Sequence, residues 1–181
     1  PDGAKYAKAG MKFVGWTPVI PDEITDNMEF TAQYTPDIKP PELTAIKASY
    51  GQKLSDITLP SNSQGRWVFV DAPTTAVGDV GKHEFNVRFV SDIDGAEEIT
   101  SKVTVNVAKA KLEFKDLVLE FVYDGTAKYP TYTLGAEVFV TEMGEKGIDV
   151  GTYDFTLLVN TDSYEAMYIG QYTIKKATAT I

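Results

Sequence analysis

Residues 65–90 read GRWVFVDAPTTAVGDVGKHEFNVRFV, and residues 135–160 read GAEVFVTEMGEKGIDVGTYDFTLLVN. Set one above the other, Gly65, Val68-Phe69-Val70, Asp79-Val80-Gly81 and Phe85 recur as Gly135, Val138-Phe139-Val140, Asp149-Val150-Gly151 and Phe155. Each pair is 70 positions apart with no gap, and Val87/Leu157 and Phe89/Val159 continue the register. A fixed period of this kind is the signature of a repeat architecture and takes precedence over local readings. The match extends outward. Val107, Lys109 and Ala110 recur as Ile174, Lys176 and Ala177 at a displacement of 67, and Tyr50-Gly51 recurs in Tyr123-Asp124-Gly125. Two copies follow, over residues 37–109 and 110–181, with the final Ala177-Thr178-Ala179-Thr180-Ile181 reading as a linker strand into a further copy.

Within each copy the pattern is that of half-buried strands, in which apolar and polar residues alternate. Phe85, Val87 and Phe89 alternate with Glu84, Asn86 and Arg88; Val103, Val105 and Val107 with Thr104 and Asn106. Leu117, Leu119, Phe121 and Tyr123 form one face of a run, and Tyr153, Phe155, Leu157 and Val159 another. Turn-forming clusters separate them: Ser61-Asn62-Ser63-Gln64-Gly65, Asp92-Ile93-Asp94-Gly95 and Met143-Gly144-Glu145-Lys146-Gly147. Short strands at regular spacing predict an all-β chain of small modules, an Ig-like sandwich for each 70-residue copy, with a β-grasp-like variant as the alternative. A β-grasp needs a helix of about three turns; the only helical signal is one turn's worth at Gln52–Ile57. Residues 1–36 do not fit the repeat. They end in a Pro-rich stretch, Thr35-Pro36-Asp37-Ile38-Lys39-Pro40-Pro41, which reads as a semi-stiff linker. A segment this short reads as part of a module whose other half lies outside the sequence.

The 181 residues carry a net charge of −9, and the only arginines are Arg66 and Arg88. Nucleic-acid binding, which needs clustered Lys and Arg, is disfavoured. An acidic surface suits an extended extracellular protein. There is no cysteine, which excludes thiol catalysis and Cys-based zinc sites and agrees with exported bacterial proteins that avoid it. No stretch approaches the roughly 18–20 apolar residues of a membrane span, and the chain starts at Pro1. It reads as excised from a longer protein whose targeting and anchoring signals lie elsewhere.

Two resemblances bear on function. Gly10-Met11-Lys12-Phe13-Val14-Gly15-Trp16-Thr17-Pro18, with Phe30-Thr31-Ala32-Gln33-Tyr34, resembles the C-terminal half of a Listeria–Bacteroides repeat, the B-repeat type of internalin-like surface proteins. It covers residues 1–36 and implies a partial β-grasp-like module. Leu43-Thr44-Ala45 with Tyr50-Gly51, Asp79-Val80-Gly81-Lys82-His83, and Tyr123-Asp124-Gly125-Thr126-Ala127-Lys128 resemble the MBG/YDG repeats of bacterial adhesins. Together they imply a secreted or wall-linked multidomain surface protein, usually Gram-positive, some of whose relatives bind mucin or host proteins.

Few residues suggest chemistry. His83, the only histidine, shares a strand face with Phe85 and has Tyr153 as its repeat partner, so it reads as a packing position. Asp92 and Asp94, with Glu97 and Glu98, have the acidic density of a weak calcium loop; the equivalent Thr161–Ala166 has fewer acids, and a solvated hairpin turn is preferred. No other metal site, cofactor or catalytic carboxylate pair is expected. A Lys–Asn isopeptide bond at Asn106 with Glu84 is rejected because Asn106 lies on a polar face. Trp67 has Glu137 as its repeat partner, which predicts partial exposure; it reads either as packing, including cover for a junction between modules, or as a stacking anchor for glycan or protein. Trp16 reads as core. The function expected is a non-enzymatic stalk or adhesin arm that spaces or presents a distal domain. The alternatives are a glycan-, mucin- or host-protein-binding module and an accessory region of an extracellular glycan-active enzyme.

Overall fold

The computed structural model describes residues 8–24 and 26–178. Among the described residues the regular elements are strands, apart from a three-residue 3-10 turn at Leu54–Asp56. The all-β prediction holds. The β-grasp alternative for the two copies does not, because no α-helix crosses their sheets among the described residues. The chain divides into two compact units. One holds the chain up to Ile46 with Lys53–Ala76 and Lys82–Val105; the other holds Lys47–Gln52, Val77–Gly81 and the chain from Asn106 onward.

The first strands, β1 (Met11–Thr17) and β2 (Thr31–Pro36), pair as an antiparallel hairpin. Phe13 and Trp16 are three residues apart, so regular alternation would put them on opposite faces. A bulge at Val14, where Phe13 faces Tyr34 but Gly15 faces Gln33, returns them to one face. Gly15, next to the bulge, takes a φ of +151°. Phe13 then packs edge-on against both Trp16 and Tyr34, with ring centroids 5.5 and 5.8 Å away.

In the first copy β3 (Ile46–Ser49), β4 (Ser61–Asn62), β5 (Gly65–Phe69), β6 (Gly81–Ser91) and β7 (Ile99–Ala108) form one sheet in the order β3-β7-β6-β5-β4. Its inner face buries Trp67, Val87, Phe89 and Val103. The Pro-rich stretch is not a free linker. Ile38 packs on this core, Gln64 bonds the backbone of Lys39 and Asp37 at 2.8 and 3.1 Å, and Asn62 bonds the Lys39 carbonyl at 2.8 Å.

The second copy contains β8 (Ala110–Lys111), β9 (Lys115–Val118), β10 (Glu120–Val122), β11 (Thr131–Thr133), β12 (Thr141–Met143), β13 (Gly151–Asn160) and β14 (Tyr164–Lys175). Its main sheet runs β10-β14-β13-β12, with β8 also on β14, and a second sheet pairs β9 with β11. Phe155, Leu157, Tyr172 and Ile174 from the first sheet pack on Leu117 and Tyr132 from the second, making a small two-layer sandwich. The run Leu117–Tyr123, read as one strand, breaks at Leu119: β9 joins one sheet and β10 the other. Asp116, at φ +51°, belongs to the same irregular stretch.

The copies agree in their central hairpins. Val87 and Leu157 are both wholly buried, as are Val107 and Ile174 within a few per cent. The neighbouring strand, however, breaks the gapless register. Phe69 pairs with Val87, whereas Leu157 pairs with Glu142. Phe69 therefore corresponds to Glu142, 73 positions on, and Trp67 to Val140, which packs on the second core. The Val-Phe-Val match at 70 positions is a coincidence of composition: Phe69 packs on the first core, and Phe139 is 80% exposed. The second copy is three residues shorter between β12 and β13, so the displacement falls from 73 to 70 there, and to 67 after the next turn.

This register makes a prediction. A Cβ at Gly65 (φ +148°) would collide with the Val90 carbonyl and lie 2.9 Å from the Ser91 Cα, whereas one at Gly135 meets nothing within 4 Å. Gly65→Ala should destabilise by about 1–3 kcal/mol and Gly135→Ala by less than about 0.5 kcal/mol, measured by urea unfolding. Equal effects would restore the gapless alignment.

Candidate functional site

Trp67 sits at the middle of β5 opposite Phe89, with ring centroids 5.4 Å apart. It is 6% exposed, and its indole Nε1 donates to the Pro41 carbonyl at 2.9 Å. The partial exposure inferred from Glu137 is thus corrected, because the true repeat partner is the apolar Val140. A face-stacked sugar has no access to this ring. What the indole does is hold the Pro-rich segment onto the first core.

A groove of about 430 Å³ opens beside it, lined by Leu54, Ile57, Leu59, Trp67, Phe69 and Pro73. It lies where the segment before β4 diverges from β5. Trp67 N–H still reaches the Pro60 carbonyl at 3.2 Å, but the 3-10 turn at Leu54–Asp56 then carries the chain away. The lining is mainly aliphatic and aromatic, with Ser55 and Asp71 as its polar members, so the groove can accept an apolar group.

A second feature lies on the outer face of the main sheet of the second copy. The register aligns Thr141, Leu158 and Met167 in one row and Met143, Thr156 and Ile169 in the next. Phe155, Leu157 and Val159 point inward, so these residues point outward. Met167 is 65% and Ile169 72% exposed. The corresponding first-copy positions are Arg88 for Leu158, Thr100 for Met167 and Lys102 for Ile169. Lys102 there bonds Glu84 at 3.3 Å. The fold therefore does not require an apolar outer face, and an exposed apolar face of this kind is present in one copy only. The signal was present in Ala166-Met167-Tyr168-Ile169, where both parities of a strand are apolar, more than one buried face needs.

Other residues singled out in the sequence fall apart spatially or serve the fold. His83 is half-buried in β6, and Tyr153, its partner, stacks on Tyr172 at 5.3 Å. Asp92 and Asp94 are exposed in the β6–β7 turn, and no group of three or more His, Asp or Glu is placed to hold a metal among the described residues. Asn106 is half-buried with its Oδ1 enclosed, and Glu84 is engaged by Lys102. Tyr132 donates to Glu142 at 3.0 Å; burial first, then this carboxylate, pushes its phenol up to about 12, so it stays neutral and links the two sheets.

The Tyr123–Lys128 motif has a physical role. Asp124 accepts from the Thr126 N–H at 2.9 Å and the Thr126 hydroxyl at 2.6 Å, and pairs with Lys128, while Gly125 takes φ +79°. The Lys128 bond, then the two from Thr126, hold the Asp124 carboxyl well below the usual carboxylate range. No protein-family model matches the sequence, and no curated protein matches it.

Two outcomes follow. Trp67→Ala should cost about 3–5 kcal/mol in chemical unfolding, so loss of any binding activity in that variant would report unfolding; Trp67→Phe should keep the ring packing and lose only the Pro41 bond. Because the folded pKa of Asp124 is depressed, the turn's contribution is complete above about pH 4 and is lost as pH falls toward that lower value. Carboxyl NMR titration should show Asp124 still ionised when exposed aspartates protonate, and Lys128→Ala should return it toward the ordinary range.

Proposed function

We propose that this chain is a non-enzymatic repeat region of an extracellular bacterial surface protein, a stalk or adhesin arm that spaces or presents a distal binding domain. The observation that carries this reading is serial duplication without a spacer. Each copy builds its own core around a long hairpin, and only Lys109 separates β7 of the first from β8 of the second. No Gly/Ser-rich tether stands between them; the chain passes from strand to strand. The acidic surface and the resemblance to wall-linked repeats agree with this assignment and favour a Gram-positive cell wall.

A second reading, a module that binds a host protein, is favoured by the outward Leu158, Met167 and Ile169. It replaces Trp67 as the anchor of that alternative, and an apolar sheet face fits a protein better than a glycan.

Antibodies raised against the folded fragment should label intact producing cells without permeabilisation, and labelling only after permeabilisation would sink the arm. On mucin, glycan and host-protein arrays the spacer reading expects background signal. Binding that survives Trp67→Phe and disappears in Leu158→Arg/Met167→Thr/Ile169→Lys, which carries the first copy's own residues, would establish the second reading.

A further inference from the structure

We propose that the second copy is a load-bearing element whose resistance to a pull along the chain is set by parallel pairing of its entering strands with its last strand. The proposal rests on the arm reading above and adds how such an arm would bear tension.

The chain enters this copy through β8 and leaves through β14. β8 runs parallel to the start of β14, pairing Ala110 with Tyr164 and Lys111 with Glu165. β10 runs parallel to its end, pairing Glu120 with Thr173, Phe121 with Ile174 and Val122 with Lys175. The bonds alternate across the seams: Ala110 N–H to the Ser163 carbonyl at 2.9 Å, Leu112 N–H to Glu165 at 3.0 Å, Thr173 N–H to Leu119 at 2.9 Å and Tyr123 N–H to Lys175 at 2.9 Å. Lys175 Nζ adds a bond to Glu120 at 2.7 Å.

Direction is the deciding property. Tension at the two ends draws β8 and β10 toward their N-terminal ends and β14 toward its C-terminal end. For parallel neighbours those are opposite directions along one axis. The force shears the seam, so the bonds across β10 and β14 share the load and must fail together. In an unzipping geometry the same bonds fail one at a time. Sliding finds no early resting place, because a one-residue slip would turn Phe121 out of the core, where it packs against Tyr172 with ring centroids 5.9 Å apart. The first in-face position lies two residues on, about 6.6 Å, beyond the reach of every original bond. A flanking strand recurs in the duplicated module: β3 lies beside β7, and Tyr50 N–H meets the Ala108 carbonyl at 2.9 Å as Tyr123 N–H meets Lys175.

Single-molecule force spectroscopy tests this on the whole chain, which has no native cysteine to confuse attachment. Forced unfolding reports an unfolding rate rather than equilibrium stability. Pulled through its ends, the second copy should unfold at a force several-fold higher than when pulled between cysteines placed at the partnered positions Val122 and Lys175, which unzips the same seam. Tyr123→Pro removes one seam bond and should lower the end-to-end force. Equal forces in the two geometries, or an end-to-end force indifferent to Tyr123→Pro, would overturn the clamp. That failure is separate from failure of the arm reading: labelled cells with equal forces sink only the clamp, and anisotropic forces in a protein confined inside cells sink only the arm.

Discussion

The pairing of β13 with β14 is the constraint on which the second copy depends. Ten consecutive residues, Gly151 to Asn160, face Ile174 to Glu165 without a break. Alternation along this ladder sends Phe155, Leu157, Tyr172 and Ile174 to one side, where Leu117 of β9 and Tyr132 of β11 cover them, while β8, β10 and β12 extend the same sheet. The buried Tyr172 also carries a hydroxyl. It accepts the Gly147 N–H at 2.6 Å and lies 3.0 and 2.9 Å from the carbonyls of Lys128 and Glu145. One side chain on the central hairpin therefore satisfies polar backbone in two loops, which would otherwise be unpaired in an apolar setting.

The same hairpin in the first copy is covered differently. The second layer there is not a sheet but irregular chain: Ile38, Leu43 and Leu59 lie on Trp67 and Phe89. An inner face tolerates such substitution provided its apolar area is covered and the covering backbone finds partners. Trp67 meets both conditions, with its ring on Phe89 and its N–H on Pro41. The outer faces answer to no such demand. One copy places Arg88 and Lys102 where the other places Leu158 and Ile169, and both folds persist. Freedom of that kind is where recognition can diverge between repeats while the scaffold stays constant.

Under the proposed arm reading, load adds a requirement that burial alone does not. A terminal strand could complete the sheet in either direction, but only the parallel choice places β10 and β14 in shear when the chain is stretched. The edge strands are short, two residues in β8 and three in β10, which limits their value as templates for aggregation.

The sequence by itself determined the all-β class, the duplication and the identity of the central hairpins, because alternation with a period of two is a local property and the inward rows of Val87 and Leu157 repeat at a constant interval. It also located the turns, where Gly and Asp answer to backbone conformation within a few residues. Tertiary structure alone decided the register of β5 against β12. A strand's partner is chosen across the sheet by which residues fit opposite Val87 or Leu157, and a recurring Val-Phe-Val triplet three residues out of phase carries no information about that choice. The error at Trp67 followed from it: set against Glu137 the residue looked exposed, while set against Val140 it is core. The fate of Thr35–Pro41, the break at Leu119 and the apolar outer face around Met167 were likewise settled by long-range contacts, since each depends on what lies on the other side of a strand rather than on the order of residues along it.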